Sequence, residues 1–136
     1  MTIINNYLHD TLALEPLMSA VVGFIIKLHS AGVLHRDLNI SNILYSKAED
    51  EEYKFQIVDT NRMSFKQKLT VRERVDNLRR LSCVPAAYCY ILEQYTKQIR
   101  SHDHSFELKG ILARLIFDER QRIKQQVKQK IKQICF

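Results

Sequence analysis

The sequence predicts a mainly α-helical α+β domain with one small β-hairpin. Three observations predict it. Residues 16–30 are apolar over most of a helix circumference. Residues 43–59 hold two short strand-like runs separated by a charged turn. From Thr70 onward, apolar residues recur every three or four positions. At 136 residues the chain is long enough for one domain with a moderate core. It divides into a leader and buried helix (1–31), a polar loop with a hairpin (32–62) and a helical subdomain (70–136).

The elements follow in order. Residues 5–14 read as a short helix or helical turn. Pro16 restarts the chain, because a first helical turn tolerates its missing N–H. Leu17, Met18, Val21, Val22, Phe24, Ile25, Ile26 and Leu28 then cover a helix on most sides, which places it in the centre of the domain. Gly32 suits the position just past its end. Val33 and Leu34 are a short extended piece. "ILYS" (43–46) has strand character and "KAEDEE" (47–52) is an exposed turn. "YKFQIVD" (53–59) alternates Tyr53, Phe55 and Ile57 with polar residues, the pattern of a strand with one buried face.

Thr70 with Glu73 three residues on predicts a capping box. Val71, Val75, Leu78 and Leu81 mark one face of the helix it opens. Pro85 opens another helix, carrying Tyr88, Ile91, Leu92, Tyr95 and Ile99. "RSHDHS" (100–105) is a break. Leu108, Leu112, Leu115, Ile116, Ile123, Val127 and Ile131 trace a stripe along a long last helix, read as a core helix with a solvated basic face.

Lys and Arg number 21 against 15 Asp and Glu, a net charge of +6, which implies attraction to anions. From Glu107 to Phe136 there are eight basic residues and three acidic ones. That helix therefore also suits an anionic membrane surface. It lacks aromatic residues near its end other than Phe136, which argues against nucleic acid. Cys83, Cys89 and Cys135 form no metal-binding spacing and read as free, mostly buried thiols. No apolar run is long enough to span a bilayer, and no signal-peptide pattern opens the chain, so the expected compartment is the cytoplasm.

The polar loop "HRDLNISN" (35–42) carries the chemistry. Asp37 and Asn42 lie five positions apart, and Asp59 ends the following strand. Phosphoryl transfer needs a group to orient the attacking hydroxyl and oxygen ligands for magnesium. His35, Arg36, Asp37, Leu38 and Asn42 occupy every fixed position of the protein-kinase signature H-R-D-L-x-x-x-N. The buried helix before the loop and the hairpin after it supply the matching context. Two departures narrow the family. Asp59-Thr60-Asn61-Arg62 replaces D-F-G, and Asn39 stands where protein kinases usually have Lys. The string "LHSAGVLHRDLNISNILY…FQIVDTNRM" resembles the lipopolysaccharide kinase (Kdo/WaaP) family of Gram-negative bacteria, over about residues 15–80.

The resemblance implies the C-terminal lobe of a protein-kinase-like fold. It implies a transferase that moves phosphate from ATP, with magnesium, to a sugar hydroxyl of the lipopolysaccharide core, at the cytoplasmic side of the inner membrane. Asp37 would be catalytic, and Asn42 and Asp59 would hold the metal. His35 would pack beneath the hairpin as a structural residue. For Arg36 the choice is between pairing with an acid and touching substrate. Asn39 either caps the loop or meets the acceptor, and Arg62 either holds the Asp59 turn or meets an anionic acceptor. Asp76 either fastens the loop backbone or is solvated. Only a short segment follows Asp59 and no A-P-E is present, which favours a small or glycan acceptor over a protein. No G-x-G-x-x-G exists, so the ATP-binding lobe is missing from these residues. ATP binding is therefore expected to be weak and the isolated chain inactive. A pseudokinase-like remnant and a basic membrane-surface module are the competing readings.

Overall fold

The computed structural model describes residues 2–3, 15–50, 52–101 and 105–134. The helical turn expected over 5–14 lies outside them. Helix α1 (Glu15–Ser30) buries Leu17, Met18, Val21, Val22 and Ile25 at the centre of the core, as its all-round apolar surface predicts. Gly32 follows it with φ +75, and a Cβ there would lie 1.7 Å from the Lys66 carbonyl oxygen. Only glycine combines that backbone conformation with that approach.

Strand β2 (Val33–His35) leaves this turn, and β3 (Ile43–Lys47) and β4 (Tyr53–Ile57) form the expected antiparallel hairpin. Ile43 lies opposite Ile57, and Tyr45 opposite Phe55. Phe55 stacks on Phe24 of α1 with ring centroids 5.3 Å apart, which seats the hairpin on the central helix. Two short strands add to this scheme. β1 (Thr2–Ile3) pairs with β3, and β5 (Met63–Phe65) pairs with β2, with His35 opposite Met63.

Helix α2 (Val71–Leu78) starts at the predicted capping box. The Thr70 hydroxyl oxygen accepts from the Glu73 N–H at 3.2 Å, and the Glu73 carboxylate accepts from the Thr70 N–H at 2.9 Å. Val75, Leu78 and Leu81 are buried. Val71 is not: it lies in the first turn, at the mouth of an open groove against α4 (Ser105–Ile134). Helix α3 (Pro85–Gln98) buries Tyr88, Ile91, Leu92 and Tyr95.

Helix α4 corrects one expectation. It packs through Phe106, Gly110 and Ala113, not through the predicted stripe. A Cβ on Gly110 would lie 2.6 Å from Leu92 Cδ2, so glycine permits the close crossing of α3. Phe106 stacks on Tyr95 at 5.0 Å. Leu108, Leu112, Leu115, Ile116, Ile123, Val127 and Ile131 stay exposed. Arg114, also on α4, secures the end of α2 by donating to the carbonyls of Arg79 and Leu81. The thiols are also less buried than expected. Cys83 is half-buried, Cys89 is exposed because it faces away from the α3 core side, and Cys135 lies outside the described residues.

Candidate active site

The polar loop hangs between β2 and β3, and its backbone is fixed by the ring of His35. That ring is 1% exposed. Its Nδ1 accepts from the Asp37 N–H at 3.2 Å, so the ring proton sits on Nε2. Nε2–H is shared between the carbonyls of Val58 and Asp59, at 3.1 and 2.9 Å. One neutral imidazole thus ties the backbone of Asp37 to the backbone of Asp59. All three of these ring bonds run to backbone atoms.

Leu38 and Ile40 anchor the loop by burying their side chains in the core. Between them Asn39 caps a 3-10 turn (Ile40–Asn42), its Oδ1 accepting from the Ser41 N–H at 3.4 Å and from the Ser82 hydroxyl. Of the two roles open for Asn39, capping is the one visible. Asn42 donates Nδ2–H to the Asp37 carbonyl at 3.0 Å, and its own carbonyl accepts from the Val58 N–H at 2.9 Å. The Asn42 amide oxygen is not used in that bond.

Asp59 has φ 55 and ψ 54, a left-handed conformation that aspartate tolerates better than most residues. It precedes a 3-10 turn (Thr60–Arg62) without capping it, so its carboxylate is not engaged there. Arg62 holds this turn through its backbone: its carbonyl accepts from the Arg36 N–H at 2.9 Å. The side chains of Arg36 and Arg62 are both exposed.

Asp76 does not fasten the loop. It is half-exposed and ion-paired with Arg79 at 3.3 Å and Arg72 at 4.0 Å. Its neighbour Asn77 is the fastener. Asn77 is 6% exposed, and its Nδ2–H donates to the His35 carbonyl at 2.6 Å. Its Oδ1 accepts from His29 Nε2–H at 3.0 Å. His29 Nδ1 then accepts from the Tyr95 hydroxyl at 2.8 Å, and Arg74 donates to that same hydroxyl oxygen at 3.1 Å. An aspartate carboxylate has no hydrogen to give the His35 carbonyl, whereas an amide both gives and accepts. Burial pushes the His29 pKa down from 6.5 to about 4, with Arg74 adding to it and the Asn77 bond opposing it. The network therefore depends on a neutral His29.

The Asn42 amide oxygen and the Asp59 carboxylate are hard oxygen donors, which fit magnesium rather than a softer metal. They would supply part of an octahedral shell, the rest coming from water and phosphate. Among the described residues no group of three or more His, Cys, Asp or Glu side chains forms a metal site. The candidate here has a different composition, with an amide as one ligand.

A helical body with a loop of this motif between short strands defines the chain as kinase-like. A solved structure agrees: the chain is similar to "WaaP in complex with acyl carrier protein", with TM-score 0.55 and 21% identity. The match covers 79% of this chain and 47% of that one, so the chain spans about half the length of that relative. No curated protein sequence matches the chain. Residues 7–102 match the profile of the lipopolysaccharide kinase (Kdo/WaaP) family, and the chain belongs to that family.

Proposed function

We propose that this chain carries the hydroxyl-orienting and metal-holding half of a kinase that phosphorylates a lipopolysaccharide core sugar from ATP with magnesium. The observation that carries the reading is the double tie of the loop. His35 joins the backbones of Asp37 and Asp59, and Asn42 joins its side chain to Asp37. Three oxygen-bearing side chains are thereby held on a frame that does not need substrate to form.

In this reading Asp37 accepts the hydrogen bond of the sugar hydroxyl and orients the oxygen for attack. Asn42 and Asp59 would hold magnesium, which would supply neutralisation of charge on the phosphates. After Asp59 the chain runs through one 3-10 turn and β5 and reaches α2 at Val71, which leaves no long segment to cradle a peptide. That supports a sugar acceptor over a protein. No G-x-G-x-x-G is present in these 136 residues, so ATP contacts here are partial and binding is weak.

The test is magnesium-dependent transfer of phosphate from ATP to purified core lipopolysaccharide. It is run on this chain and on one extended through any upstream reading frame. The extended chain is expected to turn over and to lose at least about a hundredfold in kcat with Asp37→Ala. Turnover that survives Asp37→Ala sinks the assignment. No turnover in either form favours a pseudokinase-like remnant.

A further inference from the structure

Helix α4 is about 45 Å long, and only its first half packs on the body of the protein. Along it runs an aliphatic stripe with an eleven-residue period. Leu112, Ile123 and Ile134 are eleven apart, and so are Ile116 and Val127. Eleven residues return a helix to within about 20° of its starting direction, so the stripe stays on one side for about 33 Å. The residues on it are open to solvent: Ile123 is 48% exposed and Ile131 55%.

The stripe begins inside the open groove between α2 and α4, where Leu112 and Ile116 are rimmed by Arg72, Arg79, Lys109 and Arg120. Asp76 is the single acid lining it. Arg79 Nε is buried there without an acceptor among the described residues. Past the groove, Lys124, Lys128 and Lys132 border Ile123, Val127 and Ile131. From Arg120 to Ile134 there are six basic residues and no acidic one.

We infer that this face docks on an anionic lipid surface, with α4 lying in the plane of the membrane. The stripe would enter the boundary between headgroups and acyl chains, and the cations would sit on lipid phosphates. No described helix is long and apolar enough to cross a membrane. Arg122 is paired with Glu119, and the other five basic residues of this segment still select this occupant over a second copy of the chain, which would set one cationic segment against another. A nucleic acid would use the cations but leave the aliphatic stripe in water. Docking is independent of whether the loop is catalytic.

The test is sedimentation of the 136-residue chain with vesicles of phosphatidylcholine, with and without about one third phosphatidylglycerol, at about 0.1 M salt. The chain should sediment with the anionic vesicles only. Lys124→Glu/Lys128→Glu/Lys132→Glu should cut partitioning at least about tenfold, and Ile123→Ser/Ile131→Ser should do likewise. All five sites are exposed, so circular dichroism should show unchanged folding. Three results overturn the proposal. One is no preference for anionic vesicles. Another is wild-type binding by the Ile→Ser variant, which means adsorption by charge alone. The third is a dimer that the Ile→Ser variant abolishes while vesicles leave it intact.

Discussion

Acidification should loosen this fold through one buried ring. His29 is 1% exposed and neutral, donating from Nε2 to Asn77 and accepting at Nδ1 from Tyr95. A second ring proton would turn the Tyr95 hydroxyl from donor to acceptor, while it already accepts from Arg74, and would place a charge beside that arginine. Burial holds its pKa at about 4 in the fold, against 6.5 when the chain is unfolded. As pH falls, the unfolded chain therefore takes up the proton first, and stability drops. The His29 contribution is complete above about pH 6.5, is lost between there and about pH 4, and is flat below. At about 1.4 kcal/mol per tenfold difference in proton affinity, the whole loss is about 3 kcal/mol, with about 2 kcal/mol gone by pH 5. Urea unfolding followed by circular dichroism at pH 8, 6.5 and 5 reads it directly. With a slope of about 2 kcal/mol per molar, the midpoint should fall by about 1 M between pH 8 and pH 5. His29→Gln provides the comparison, since every other titrating group is common to both proteins. The gap between wild type and variant should narrow by about 2 kcal/mol over that range. A gap that stays constant refutes the account of His29 as a neutral link.

Three further outcomes are expected. Asn77→Ala should cost about 2–3 kcal/mol, because it strands the His35 carbonyl and His29 Nε2–H, while Asp76→Ala should cost under about 1 kcal/mol; urea midpoints of the two variants decide it. Gly32→Ala should cost at least about 3 kcal/mol or leave the chain insoluble, read by thermal melting, since the backbone of Lys66 blocks its Cβ. Of the two described cysteines, Cys89 should be alkylated by maleimide well before Cys83, whose thiol is half-buried and pushed up to about 11 by burial; peptide mass spectrometry after timed quenching shows the order.

Much of the framework was legible because it rests on local signals. Pro16, Thr70 with Glu73, and Pro85 each act within one turn of their own helix, and the hairpin is written in alternation over neighbouring residues. β5 was not legible: it is three residues long, and its partner β2 lies about thirty positions earlier. α4 misled because an amphipathic stripe shows where a helix is apolar but not which face its neighbours use. Gly110 was the available sign, since a glycine inside a long helix marks a close crossing. Asn77 was readable in principle. Positions 74, 77, 78 and 81 share one helix face with the buried Leu78 and Leu81, whereas Asp76 falls outside that set. Hydrogen-bond chemistry favours the amide over the carboxylate, because the His35 carbonyl needs a donor.

The central claim is that this loop holds a divalent metal with its nucleotide through Asn42 and Asp59, while Asp37 serves the acceptor. Water-proton relaxation during titration of the chain with Mn²⁺ and ATP tests it, because manganese reports weak inner-sphere sites that magnesium leaves silent. Enhancement above that of Mn²⁺–ATP alone is predicted for the wild type, lost in Asp59→Asn and Asn42→Ala and retained in Asp37→Asn. Equal enhancement in all four proteins, or none in the wild type, would contradict it.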